Sequence, residues 1–206
     1  MVMQRRFAIL GHRAPSTGRL ELNDLPGGCG RMDVLCRAVN SSLFLSHGIR
    51  TDSHITLHLL AGPGPPRRIW FDGSRLRGLH VDERSIAGRI SAILELPAPP
   101  AGMMQETSPG IWHDSGELRT TIEEWRKEGV RLMMLHADAD PLEVNHAGFE
   151  HDDQSNLGFF LSDDRPFTSQ EDILLRHVCT VRSLGEEWLQ GHIAIGIVHH
   201  ILDSIS

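Results

Sequence analysis

The run Leu25-Pro26-Gly27-Gly28-Cys29-Gly30-Arg31-Met32-Asp33-Val34-Leu35-Cys36-Arg37 joins turn chemistry directly to a helical pattern. Pro26 fixes its own φ, and three glycines within four residues permit backbone angles that a side chain forbids. Val34, Leu35, Ala38, Val39 and Leu43 then recur at helical spacing. Arg31 and Asp33 fall in the first turn, beside the glycine loop. This pattern fits a capped core helix with a charged, solvated first turn. It also suits a site that receives an anion or a reacting group.

Outward from this helix the chain alternates strands and helices. Residues 7–10 are an apolar strand ahead of a polar loop at 14–24. Ile55, Leu57 and Leu59 alternate with Thr56, His58 and Leu60, the period of a strand with one face better buried. The turn Gly62-Pro63-Gly64-Pro65-Pro66 returns the chain as a second strand over 67–71, so a hairpin is expected. Asp82 is placed to cap a helix carrying Ile86, Ile90, Ile93 and Leu94, with Glu83 where the helix dipole favours an acid. Residues 97–102 break the pattern and, with 103–109, form the longest expected loop. Ser115 is the expected cap of a helix through Leu118, Ile122 and Trp125 that closes at Gly129, followed by a buried strand over 130–135. A strand over 157–161, a helix over 169–178, a strand over 180–183 and a last helix from about 186 to 202 complete the series. Such alternation predicts an α/β fold with a largely parallel sheet.

At 206 residues, 40% hydrophobic and 23% charged, the composition is that of a globular chain. No apolar run approaches a membrane span, and residues 1–15 lack the apolar core of a signal peptide. Three cysteines, Cys29, Cys36 and Cys179, suit a reducing cytoplasm better than a disulfide framework. The net charge of -7 is unevenly distributed. Residues 1–96 hold 13 arginines and no lysine against eight acidic residues, whereas residues 97–206 hold seven basic residues against 19 acidic ones. RNA contact is therefore expected on the basic front half. The preference for arginine fits bidentate phosphate binding and also fits a bias in genomic base composition.

The opening run resembles the amino-terminal signature of the archaeal tRNA pseudouridine N1-methyltransferases, members of the SPOUT superfamily. Phe44-Leu45-Ser46-His47 and Ile49-Arg50-x-Asp52 match as well. Phe71-x-Gly73-Ser74, Asp82-Glu83-Arg84, Ser108-Pro109-Gly110-Ile111, Leu135-His136 and His199-x-x-Leu202-Asp203 follow in order. The resemblance implies one methyltransferase domain over residues 1–206, a C-terminal trefoil knot, bound S-adenosylmethionine and a homodimer in the cytoplasm. The implied substrate is tRNA, methylated at N1 of a pseudouridine in the T-loop, with ribosomal RNA or a silent RNA- or cofactor-binding role as alternatives. By the same resemblance, Leu135, Ser162, Leu184, Gly185, Glu186, Glu187, Trp188, Leu189 and Ala194 would contact the cofactor. Arg31, Arg37, Arg50 and Arg84 would contact RNA. Asp33 would serve as general base or proton relay for a ring nitrogen that must lose its proton, or else as an internal salt bridge fixing the glycine loop.

Three positions depart from the family pattern. Ser162-Asp163-Asp164-Arg165-Pro166 replaces a common Gly-Asp-His-x-Gly type loop, Ala194 stands where a cysteine is common, and Glu186 stands where a proline often follows Ser-Leu-Gly. Trp188 would crowd the pocket if it turned inward. The 13 histidines are mostly scattered. His54 and His58 lie on a strand, which holds their rings too far apart for one ion, so no metal is expected.

Overall fold

Strand β1 (Arg5–Pro15) carries Phe7, Ala8, Ile9 and Leu10, all fully buried, so both of its faces require cover. The computed structural model describes residues 3–142 and 156–204. After β1 come α1 (Met32–Leu43), the short pair β2 (Phe44–Leu45) and β3 (Gly48–Ile49), and then β4 (Ser53–Ala61), β5 (Arg67–Asp72) and α2 (Glu83–Leu94). They are followed by β6 (Gln105–Ser108), β7 (Ile111–Asp114), α3 (Leu118–Lys127) and β8 (Arg131–Leu135). The described chain ends with β9 (Leu157–Ser162), α4 (Ser169–Val178), β10 (Thr180–Arg182) and α5 (Gly191–Asp203). One eight-stranded sheet has the order β10-β8-β9-β1-β4-β5-β7-β6. Its β10 to β4 portion is parallel, and β5, β7 and β6 extend it by antiparallel pairing.

The alternation of β1 sorts the core. Phe7 and Ile9 meet Leu35 and Val39 of α1, Ile90 of α2 and Val198 of α5 on one face. Ala8 and Leu10 meet Trp125 of α3, Leu175 of α4 and Phe160 on the other. The hairpin of β4 and β5, the cap by Asp82, whose carboxylate accepts from Ser85 N, and the helix over 169–178 are as expected. Four details differ. Residues 105–108 and 111–114 pair into an edge hairpin inside the expected loop, because Gln105-Glu106-Thr107-Ser108 has no apolar alternation and is a strand only through its partner. The residue at the start of α3 is Glu117 rather than Ser115, since Asp114 takes Gly116 N and turns the chain first. β1 runs on to Pro15 through an irregularity after Gly11. α5 begins at Gly191, leaving 184–190 as a loop.

His199 and Asp203 have a structural use at the amino end of β1. The Arg5 guanidinium donates to His199 Nδ1 at 3.1 Å and to Asp203 at 2.5 Å, while His199 Nε2 donates to Ser42 O at 3.2 Å. Arg50 closes the clasp, donating to both Asp203 oxygens at 3.1 and 2.6 Å. Burial and the neighbouring guanidinium groups push the His199 pKa down to about 4. Burial does the same to His58, down to about 3, with Arg68 adding to it. Among the described residues, no helix is long and apolar enough to cross a membrane.

Candidate functional site

In a parallel sheet the carboxyl ends of the strands face the ligand. Here β8, β9 and β10 deliver the loops 136–140, 163–167 and 184–190 to one end of the sheet, where the first turns of α1 and α5 also arrive. Together they enclose a cavity of about 400 Å³. Leu135, Ser162, Leu184, Gly185, Glu187, Trp188, Leu189 and Ala194 all line it, and Glu186 does not. Trp188 stays 66% exposed, with its ring edge-on to His136 at 5.2 Å, so it borders the cavity without filling it.

The loops are tied to each other by their backbones. His136 N donates to Arg182 O at 3.0 Å, Ser183 N to Asp140 O at 2.8 Å and Leu142 N to Ser183 O at 2.7 Å. Gly185 has φ 133, an angle that favours glycine, and its N–H donates to Ser183 Oγ at 3.0 Å. Apolar walls from Leu135, Leu161 and Ala194, with backbone polar groups in the loops, suit the faces and edges of a nucleoside. The volume falls within the range of small-molecule sites, so the residues present fit S-adenosylmethionine.

A buried cation anchors the middle loop. His12, near the carboxyl end of β1, is placed by its Nδ1 3.1 Å from Asp163 and by its Nε2 2.9 Å from Glu171, and its backbone N–H donates to Asp163 at 2.8 Å. These two carboxylates raise its pKa to about 9 despite the opposing effect of burial. Sequence reasoning missed His12; its only signal was its position beyond the carboxyl end of the first apolar strand. The histidines fix the pH dependence of stability. Below about pH 6.5 the unfolded chain binds protons that His58 and His199 refuse when folded, so stability falls toward pH 4 and 3. Above pH 6.5 the folded chain retains a proton on His12 that the unfolded chain has lost, so stability falls again until pH 9. Each group contributes a slope of up to about 1.4 kcal/mol per pH unit within its window. Urea unfolding from pH 4 to 10 should therefore peak near neutrality, and His12→Gln should remove the decline between about pH 6.5 and 9.

The glycine loop brings the front of the chain to this cavity. The Asp24 carboxylate accepts from Gly27 N at 3.0 Å and Gly28 N at 2.8 Å. Gly30 has φ 57, and a Cβ there would lie 1.9 Å from Arg13 O, so this turn presses directly on the end of β1. Gly30→Ala should therefore displace Arg13 and Arg31 and lower the melting temperature by several degrees, measurable by differential scanning calorimetry. Arg31 precedes α1 with φ 64 and is the one non-glycine of positive φ among the described residues. Such strain persists where surrounding contacts over-determine it.

Those contacts are ionic. Arg31 donates to both oxygens of Asp33 at 3.0 and 3.2 Å, and Arg37 lies 3.1 Å from the same carboxylate. Asp33 is only 2% exposed. Arg37 also donates to Glu83 at 2.8 Å, and Arg31 lines the cavity. The structure thus brings Arg31 to the cofactor-side loops, with Asp33 behind it and Arg37 paired with Asp33 and Glu83 outside the cavity lining. Arg84 stays exposed on α2, bordering a shallow groove with Arg19, and Arg50 belongs to the clasp at the other end of β1. Among the described residues, no group of three histidine, cysteine or acidic side chains could hold a metal ion.

Comparison with known proteins agrees with this geometry. Residues 4–206 match the model of a family described as "Putative SAM-dependent RNA methyltransferase". The tRNA (pseudouridine(54)-N(1))-methyltransferase of Methanococcoides burtonii is 37% identical over 97% of this chain and 96% of that protein. The enzyme of the same name from Haloferax volcanii is 40% identical, again over 97% and 96%. The crystal structure of Archaeoglobus fulgidus Nep1 bound to S-adenosylhomocysteine superposes with a TM-score of 0.64 at 13% identity, covering 98% of this chain and 99% of that one, which shows a shared fold. With its glycine-loop arginines and its three strand-end loops meeting at one cavity, this chain belongs to the tRNA (pseudouridine(54)-N(1))-methyltransferase family of SAM-dependent RNA methyltransferases.

Proposed function

We propose that the chain methylates N1 of the pseudouridine at position 54, in the T-loop of tRNA, using S-adenosylmethionine. The observation that carries this reading is that Arg31, from the front of the chain, forms part of the wall of the cavity built by the strand-end loops. The bound cofactor would supply a methyl group on a positively charged sulfur. Leu135, Leu184, Leu189 and Ala194 would hold its apolar faces, and the backbone of residues 184–189 its polar edges. Walls of this kind also exclude water and align the reacting atoms, which by itself supplies much of a methyl transfer rate.

The target nitrogen carries a proton that must leave. Asp33 lies directly behind Arg31, which lines the cavity, and its carboxylate is paired with the guanidinium groups of Arg31 and Arg37. Either it receives that proton when Arg31 turns toward RNA, or it keeps Arg31 aimed at a carbonyl or phosphate oxygen of the substrate. The reading includes a C-terminal knot, supported by the mutual backbone bonds between residues 136–142 and 182–183. It includes one domain, supported by the single sheet that joins both halves of the chain. A homodimer is supported by the exposed apolar side chains of Trp188, Leu189 and Ile193, and a cytoplasmic location by the three free cysteines.

The test is mass spectrometry of tRNA incubated with protein and S-adenosylmethionine, using transcripts with pseudouridine or uridine at the target position. A gain of one methyl group on the pseudouridine transcript alone supports the reading. Methylation of neither transcript, or of both, contradicts it.

A further inference from the structure

Asp164 lies between two arginines at the lip of the cavity. Its carboxylate accepts a hydrogen bond from the Arg13 guanidinium and lies 3.6 Å from Arg31 Nη1, both contacts made through the same oxygen, Oδ2. Asp164 and Arg31 both line the cavity, so this cluster stands beside the place where a substrate base would enter. The neighbouring acid differs in every respect that matters. Asp163 is buried, 1% exposed in its side chain, and is fixed by His12 and by Arg165 N. Asp33 is likewise 3% exposed and shared by two arginines.

The side chains of Arg13, Asp164 and Arg31, by contrast, are 37%, 22% and 33% exposed. Ion pairs open to solvent to this degree are weak and exchange readily with other anions. A phosphodiester carries the same single charge but presents both of its non-bridging oxygens to a guanidinium pair, where Asp164 meets both arginines through one oxygen. Resting on the RNA-methyltransferase reading above, we propose that Arg13 and Arg31 form a subsite for one RNA phosphate, and that Asp164 is a resident carboxylate which the phosphate displaces. Asp164 then acts as an internal competitor. It lowers affinity for RNA in general, and a substrate must offer its phosphate at this position to recover the two arginines.

This assignment predicts a sign. If Asp164 competes, removing its charge strengthens RNA binding; if it only holds the arginines in place, removing it weakens binding. The experiment is fluorescence titration of pseudouridine-containing tRNA with wild type, Asp164→Asn, Arg13→Ala and the double variant, each checked for an unchanged melting temperature. Asp164→Asn is expected to bind about fivefold tighter, a gain of the size of one exposed ion pair. The loss caused by Arg13→Ala should be larger in the Asp164→Asn background than in wild type. Equal or weaker binding by Asp164→Asn, or a smaller Arg13→Ala loss in its background, overturns the proposal. Pseudouridine-dependent methylation by the wild type in the same preparations separates that result from a failure of the methyltransferase reading itself.

Discussion

Asp33→Ala is expected to lower methyl transfer to tRNA by at least about 100-fold, the range over which a positioned proton acceptor contributes. The substitution should leave S-adenosylmethionine binding within a few fold, because Asp33 itself does not line the cavity. Its effect would act through two arginines. With the carboxylate gone, Arg31 and Arg37 lose the buried partner that holds them 3.0 to 3.2 Å away, and Arg31 loses the contact that offsets its positive φ. Asp33→Asn separates the two roles open to this residue. The amide keeps one acceptor oxygen for an arginine but does not take up a proton. If Asp33 receives the proton, the Asn variant should lose kcat as fully as Ala with KM for tRNA nearly unchanged. If Asp33 only aims the arginines, the Asn variant should recover much of kcat, and the residual loss should appear in KM. Steady-state kinetics at saturating cofactor distinguish these outcomes.

Arg68→Met is expected to be the most damaging substitution for stability, at about 3–5 kcal/mol. Arg68 is 1% exposed in its side chain, and its partner Asp114 is wholly buried. The guanidinium donates to both Asp114 oxygens at 2.8 and 2.6 Å, to Thr121 Oγ1 at 2.9 Å and to Glu124 at 2.7 and 2.9 Å. Without it, Asp114 remains a buried charge with only Gly102 N and Gly116 N to compensate it. The network joins β5, β7 and α3, and a loss of this size is a large part of a typical domain's stability. Urea unfolding at pH 7 measures it. Replacing Asp114 as well should not restore wild-type stability, since its oxygens also hold the turn before β6 and the turn after β7.

The parts of the fold that were legible in the sequence are those set by local chemistry. The alternation over 55–60 and its glycine-proline turn predicted the β4 and β5 hairpin, and Asp82 announced α2 through a carboxylate that reaches Ser85 N. The edge hairpin of β6 and β7 was not legible, because β6 buries almost nothing and is ordered by its neighbour. Nor was Glu117 as the start of α3, since the choice between it and Ser115 depends on Asp114 turning the backbone.

For the site, the rule that ligands face the carboxyl ends of parallel strands selected the three loops that meet at the cavity, and resemblance supplied the residues within them. Arg50 shows the limit of that transfer. It stands in the matched signature, yet its guanidinium is engaged by Asp203, a residue 153 positions later that no local pattern connects to it. The His12, Asp163 and Glu171 cluster was hidden for the same reason, being assembled from β1, a loop and α4. Position relative to the strand ends was readable, whereas long-range electrostatic pairing was not.

The proposed function requires the cavity lined by the 184–190 loop to hold S-adenosylmethionine. Titration calorimetry of wild type and Ala194→Phe tests it most directly, because Ala194 lines the cavity from α5, is 6% exposed, and a benzyl group there would occupy the space. Wild type should bind one S-adenosylmethionine per chain, and Ala194→Phe, at an unchanged melting temperature, should bind at least about tenfold more weakly. Equal affinity in the two proteins, or no binding by the wild type, would contradict the account.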